Sequence, residues 1–396
     1  MVLVRVLVAP GRYAGLLSSP QAAAALATGW AEGAGHDEPV TVALADGTGL
    51  SDAVAAAHGG QEHVVTVPDP WGRPTPATLL LDDSGSTVYT EAVQVCGPHL
   101  RRPGDDPLVA TSAGLGHLLR AAAGMTNRVR TLVVGLTGAR VLDAGLGLLG
   151  ELLPDEAAYH PARVALRGGA ARLGALRPED LPDLDAVRWH LRGMGLVALG
   201  DLGQPLLGLA GVAATLGAEA GADLAQAHDL ERAVGHAVDL VRRAESPRHD
   251  LLTGVERRAE RQPGAGAGAG LGYGWTLIGG VVRDEAVAGL DLVGALAALD
   301  RADLVVTGTA VLGASTIRSS PAAAIAQAAQ VRGIPAVALC GRVEAGRRET
   351  MAAGFSGTYA VANSLRDWPA FAADPAAALR RRAASVARTW SPGPRD

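Results

Sequence analysis

The opening of this chain constrains its fold more than any other feature. Residues Val2–Val8 form an apolar run interrupted only by Arg5, the pattern of a strand covered on both faces in a parallel sheet. A loop over Pro10–Ser19 follows. Pro20 then opens an alanine-rich segment with Ser18 or Ser19 placed as its cap, which predicts a helix. Val40–Leu44 reads as a second strand, a helix starts near Asp52 with Ser51 as its cap, and His63–Val67 reads as a third strand. Alternation at this spacing predicts a parallel sheet with right-handed crossovers.

The other end of the chain repeats the style. Asp303–Val306 and Pro335–Leu339 read as strands with a helix over Pro321–Val331 between them; Thr358–Val361 is a further short strand, and a helix begins at Pro375. The middle differs. Pro70–Pro76 is a turn-rich junction, followed by hairpin strands at Thr78–Leu81 and Val88–Val95 around a turn at Asp82–Ser86. Thr111 or Ser112 caps a helix to about Ala123, Thr131–Val134 is another strand, and residues 223–260 read as helical. Residues 263–274, PGAGAGAGLGYG, read either as a flexible linker or as a packed glycine loop. The expected architecture is therefore two α/β domains. A discontinuous, doubly wound parallel-sheet domain takes residues 1–70 and 285–396, and an inserted α/β domain takes 71–284. The binding crevice of such sheets lies at the strand C-termini.

Composition narrows the function classes. The net charge is −5, aromatics are 3%, and no basic block is present, which argues against a nucleic-acid partner. The apolar stretch around 193–217 contains Asp201, so no membrane span is expected. The N-terminal run is short and holds Arg5, a poor signal peptide. Two cysteines, Cys96 and Cys340, without a CxxC pattern predict buried thiols in a reducing cytoplasm. Ten scattered histidines with no HxH or HExxH spacing predict no metal site. The chain contains no lysine, which excludes a Walker A loop. No GxSxG elbow is present. Gly145-Leu-Gly147-Leu-Leu-Gly150 matches GxGxxG, but it does not directly follow a strand, so close helix packing is the better account.

Eight segments, in order, resemble the bacterial glycerate kinases of the two-domain α/β type. Val6–Ser19 resembles APDSFKGSLS, Leu44–Ser51 resembles MADGGEGT, and Asp69–Pro74 resembles the PLGRP turn. Asp106–Leu119 resembles NPL…GTGELI, and Val134–Leu149 resembles VGIGGSATNDGGAGML. Asp201–Gly211 resembles DVDNPLLGPRG, Pro263–Gly272 resembles PGAGAAGGLG, and Asp303–Gly341 resembles DLVITGEGRLDGQSLQGK…GVPVIALAG. The resemblance implies a glycerate kinase-like fold and a reaction in which MgATP phosphorylates glycerate to phosphoglycerate, with a small anionic organic acid as ligand. Phosphoryl transfer needs cations on the phosphates, carboxylates on Mg²⁺ and an acceptor for the hydroxyl proton.

The matching stops at the charged loop positions. Gly11, Arg12 and Ala14 stand where the motif has Asp, Ser and Lys, and Gly49 where it has Glu. Ala139, Val141 and Leu142 replace Ser, Thr and Asn; Gly203 and Gln204 replace Asp and Asn; Ala220 replaces Lys. Thr309, Val311, Gly313, Ser315 and Ser320 replace Glu, Arg, Asp, Gln and Lys. Asp46 and Asp201 remain as the catalytic candidates the resemblance points to, and Asp143 and Glu91 remain on the substrate side. Arg12, Arg140 and Arg318 lie in loops expected to face the crevice; they read as carboxylate or phosphate binders or as solvated loop charges. Gly266, Gly268, Gly270 and the Thr307-Gly308 pair are the nucleotide-binding candidates, the latter also an ordinary strand-to-loop turn. Two functions follow: a kinase with little ordinary activity, or a catalytically inactive member that keeps the fold as a ligand-binding or regulatory protein.

Overall fold

The structure is a computed structural model that describes residues 4–13, 15–45, 48–245, 254, 256–314 and 316–391. Its strands run β1 (Arg5–Val8), β2 (Glu38–Thr41), β3 (Gln61–Pro68), β4 (Pro74–Leu81), β5 (Thr87–Glu91), β6 (Thr131–Gly135), β7 (Gly195–Gly200), β8 (Val281–Asp284), β9 (Leu304–Thr307), β10 (Val311–Leu312), β11 (Ala336–Cys340), β12 (Arg342–Val343) and β13 (Gly357–Ala360). Two compact units result: Met1–Gly59 with Ala286–Asp396, and Gly60–Glu285.

The first unit holds a five-stranded parallel sheet in the order β13-β11-β9-β1-β2. The order reverses between β1 and β9, paired as Val6↔Leu304 through Val8↔Val306. On one face Val6, Val8, Leu304, Val306, Val337 and Leu339 pack with Leu26, Trp30, Leu379 and Val386. The last four come from helices Ser19–Gly33 and Pro375–Trp390. The first helix starts as the sequence predicts: Ser18 and Gln21 form a reciprocal capping box and Pro20 fills the first turn. The two helices cross closely. A Cβ on Gly29 would stand 2.1 Å from the Arg380 carbonyl oxygen and one on Gly33 2.2 Å from that of Ala384. The opposite face of the sheet carries helix Pro321–Val331 on β9 and β11, which makes the unit doubly wound.

The second unit holds a six-stranded mixed sheet, β3-β4-β5-β6-β7-β8. β3, β4 and β5 are antiparallel, and β5 through β8 are parallel. Helices Ala113–Gly124 and Leu146–Leu152 bury Leu115, Leu118, Leu148 and Leu149 in its core. The strand predicted at His63–Val67 exists, but it pairs with β4 rather than extending the first sheet. Gly59 and Gly60, at φ 74° and 127°, form the link between helix Leu50–His58 and β3. A pattern of apolar residues names a strand and not its partner. The second hairpin strand ends at Glu91, and Val93–Cys96 is one helical turn. The Gln94 amide explains the change: it reaches back to Thr78 N at 2.7 Å and Thr78 O at 3.2 Å. The helix predicted over 223–260 spans Leu224–Ala244, and residues 246–253 and 255 lie outside the described residues. Among those described, no helix is long and apolar enough to cross a membrane.

Candidate functional site

Parallel strands end on one edge, so the pairing of β5 to β8 fixes which loops are neighbours in the second unit. Glu91, the last residue of β5, pairs with Gly135, and Gly135 pairs with Leu199. The loop carrying Arg140 and Asp143 follows β6, and Asp201 follows β7. β8 closes the edge with Asp284 and then Glu285. Four sequence candidates thus lie on the carboxyl edge of adjacent strands, where α/β sheets bind ligands.

Their surroundings differ sharply. Asp143 is fully buried. Its Oδ2 accepts from Ser112 N at 2.7 Å, Ser112 Oγ at 2.9 Å, Gly147 N at 3.2 Å and Thr111 Oγ1 at 3.4 Å. Its Oδ1 accepts from Gly145 N at 3.0 Å. Burial raises its carboxyl pKa and these donors oppose the rise. This carboxylate fastens the starts of helices Ala113–Gly124 and Leu146–Leu152 to each other. Glu91 is 6% exposed and accepts from Gln94 Nε2 at 2.8 Å. Arg140 pairs with Glu219 at 2.6 Å and donates Nη1 to Ala139 O at 2.8 Å. Asp201 is exposed, with Oδ1 accepting from Gly203 N at 2.7 Å, a local Asx turn.

Glu285 was not visible as a site residue from sequence. Thr137, standing where the family motif has glycine, donates its hydroxyl to Glu285 Oε2. The signal was present: Val281-Val282-Arg283-Asp284-Glu285 is a β-branched run ending in acids after the glycine segment.

That glycine segment is packed, not a linker. Gly264, Gly266 and Gly270 are buried. A Cβ on Gly266 would stand 2.5 Å from the Gln204 and Pro205 carbonyl oxygens. One on Gly268 would stand 2.8 Å from Leu136, and one on Gly270 3.2 Å from Ala144 Cα. The backbone N–H of Gly266 donates to Gln204 O at 3.2 Å and that of Gly270 to Gly266 O at 3.1 Å. The three glycines therefore bring the loops after β6 and β7 against the segment 264–270. Two alanines, Ala144 at φ 53° and Ala269 at φ 62°, take left-handed conformations where the family motif has glycine. The backbone shape persists although its usual residue is gone.

In the first unit the candidates follow β1 and β9. Arg12 donates Nη1 to Thr48 O at 2.8 Å. Arg318 is exposed in the short helix Thr316–Ser319. Asp46 lies outside the described residues. Thr307 is fully buried and its Oγ1 has no hydrogen-bond partner. Gly308 O accepts from Gly11 N at 3.0 Å. Tyr13, fully buried, donates its hydroxyl to Leu339 O, and burial raises its pKa well above the ordinary value. A Cβ on Gly308 would stand 2.0 Å from Leu339 O and 2.2 Å from Tyr13 Oη. Ser320, where the motif has lysine, caps helix Pro321–Val331 through Ala323 N at 3.2 Å. Both cysteines are buried, and burial pushes the Cys340 thiol up to about 12, which makes it unreactive.

MgATP asks for carboxylates on the metal and cations on the phosphates. Among the described residues no group of three His, Cys, Asp or Glu side chains is placed to hold a metal ion. The chain has no lysine, and the loop arginines Arg12 and Arg140 each donate to a neighbouring protein group. Asp46 lies outside the described residues, and of the retained acids that are described Asp201 is the one exposed.

Comparison with known proteins places the chain. The glycerate kinase family model matches residues 6–391. An uncharacterized protein of Mycobacterium tuberculosis (strain CDC 1551 / Oshkosh) is 30% identical over 396 residues, covering 99% of this chain and 93% of that protein. A glycerate kinase of Bacillus subtilis (strain 168) is 27% identical over 355 residues, covering 86% and 85%. A crystal structure from Salmonella typhimurium LT2, assigned as a glycerate kinase 2, superposes with a TM-score of 0.77 at 25% identity and covers 98% of both chains. With nearly its whole length matched in sequence and in fold, the chain belongs to the glycerate kinase family.

Proposed function

We propose that this chain is a cytoplasmic, ligand-binding member of the glycerate kinase family in which ATP-dependent phosphorylation of glycerate is weak or lost. Its ligand class is a small anionic organic acid. One observation carries the reading: Asp143, an acid retained from the family motif, is fully buried and holds five protein donors, so it is not free to hold metal or substrate. The loss of lysine from every family loop supports it. Each lost transition-state contact costs about 10²–10³-fold in rate, although such losses do not simply add.

A second reading, a slow kinase, is favoured by the exposure of Asp201 at the end of β7 and by the glycerate kinase names of relatives such as that of Bacillus subtilis. In it, Asp201 and, by resemblance, Asp46 are the remaining catalytic acids. Calorimetric titration with glycerate and with MgATP, followed by a coupled ADP-release assay, separates the two. Binding of glycerate without turnover supports the first reading, and turnover abolished by Asp201→Asn supports the second.

A further inference from the structure

β3 stands at the edge of the six-stranded sheet, with β4 as its one strand neighbour. Gln61–Pro68 pairs with β4 in a single unbroken register, without a bulge. Which backbone groups point outward follows from β4. Asp82 N donates to Thr87 O at 3.0 Å. Thr78 N donates to Gln94 Oε1 at 2.7 Å, and Thr78 O accepts from Gln94 Nε2 at 3.2 Å. Thr78, Leu80 and Asp82 therefore turn their backbone groups away from β3, and the alternate residues face it. Thr78 and Leu80 stand opposite Val64 and Glu62, and Pro76, which has no N–H, stands opposite Thr66. Glu62, Val64 and Thr66 thus direct their N–H and C=O groups to the open edge. All three are exposed, Val64 by 70%. Among the described residues no turn or loop backbone bonds to them.

The open stretch is bounded. Pro68 has no N–H, and a Cβ on Gly114 would stand 2.1 Å from Pro68 O, so the start of helix Ala113–Gly124 closes the edge there. What remains is Glu62–Thr66, with Val64 at its centre. That stretch is self-complementary. A second copy running antiparallel about a two-fold axis through Val64 sets Val64 opposite Val64 and Glu62 opposite Thr66 on both sides. Each of these is a hydrogen-bonded pair in which the two residues exchange both bonds. An axis through Glu62 would set two carboxylates against each other, which is unfavourable. An axis through Val65 or Thr66 would need Pro68, where Gly114 already lies. An axis through His63 would leave Thr66 opposite Gly60, outside the strand.

We propose that two copies of this chain associate through β3, with the two-fold axis at Val64, so that their six-stranded sheets join into one. An isologous contact of this kind closes on itself. An exposed strand edge is a ready template for such pairing. The contact uses neither magnesium nor ATP, so it stands or falls apart from phosphoryl transfer.

The test is sedimentation of the full chain at micromolar concentrations, alone and as Val64→Pro. The Val64 N–H takes no part in the ladder with β4, and proline is accepted on an edge strand when its N–H side faces outward. The parent is expected to sediment as two chains of 40.1 kDa, and Val64→Pro as one with unchanged circular dichroism. Val64→Cys reads the register and decides alone if the proline variant does not fold. The Cα atoms of the axial pair would lie about 5.5 Å apart, inside the disulfide range of about 4.4–6.8 Å. Both native cysteines are buried. Oxidised Val64→Cys is expected to run as a covalent dimer, and Val331→Cys, 87% exposed at a helix end, as a monomer. A monomeric parent, a folded Val64→Pro that still dimerises, or equal cross-linking at positions 64 and 331 overturns the assignment.

Discussion

Ser112 donates both its backbone N–H and its hydroxyl to Oδ2 of Asp143, at 2.7 and 2.9 Å. The same Ser112 oxygen accepts from Leu148 N at 2.9 Å, so two helix starts share one buried polar cluster. Asp143→Ala leaves these donors buried without an acceptor. The expected loss is about 3 kcal/mol or more, read as a lower urea midpoint. A stability equal to the parent contradicts the structural role of Asp143.

Gly308 and Tyr13 are packed as a pair at the ends of β9 and β1. Gly308→Ala is expected to lower stability by about 1–3 kcal/mol, since its Cβ would meet Leu339 O at 2.0 Å. Tyr13→Phe removes one buried hydrogen bond and is expected to cost about 1 kcal/mol. Thermal melts of the two variants give the order of effects directly.

Glycine-to-alanine changes are expected to have opposite signs at two helical positions. Gly29→Ala gains about 1 kcal/mol of helix propensity but drives a Cβ to 2.1 Å from Arg380 O, so the chain loses stability. Gly235→Ala meets nothing and gains up to about 1 kcal/mol. Equal shifts in chemical denaturation contradict the close helix crossing.

The left-handed alanines make a matched comparison. Ala144→Gly relieves about 1–2 kcal/mol of strain and loses a similar sum through methyl burial and backbone entropy, so it is expected to stay within about 1 kcal/mol of the parent. Ala22→Gly, in the buried face of helix Ser19–Gly33, has no strain to relieve and is expected to lose about 2 kcal/mol. Denaturation midpoints measure both.

Asp303 is paired with Arg5 at 2.8 Å and its pKa is lowered to about 2 by that partner. A depressed folded pKa contributes stability above the ordinary Asp value near 3.8, and that contribution is lost as pH falls towards 2. Asp303→Asn is expected to flatten the fall in melting temperature between pH 4 and pH 2. An unchanged acid limb contradicts the pairing.

Local features were legible in the sequence. Ser18, Gln21 and Pro20 declare the start of their helix because a cap involves residues three apart. The apolar runs of β1, β9 and β11 declare buried parallel strands for a similar reason. Non-local roles were not legible. Asp143 reads as a candidate acid until Ser112, 31 residues earlier, is seen to claim it. β3 reads as a continuation of the first sheet until its antiparallel pairing with β4 is known. Glu285 gains meaning only through Thr137, 148 residues away.

The most direct test of the proposed loss of phosphoryl transfer is ADP release by the full chain with glycerate and MgATP. The result expected is a rate at background, with glycerate binding retained in calorimetry. A kcat of about 1 s⁻¹ or more, the lower end of ordinary enzymes, contradicts it.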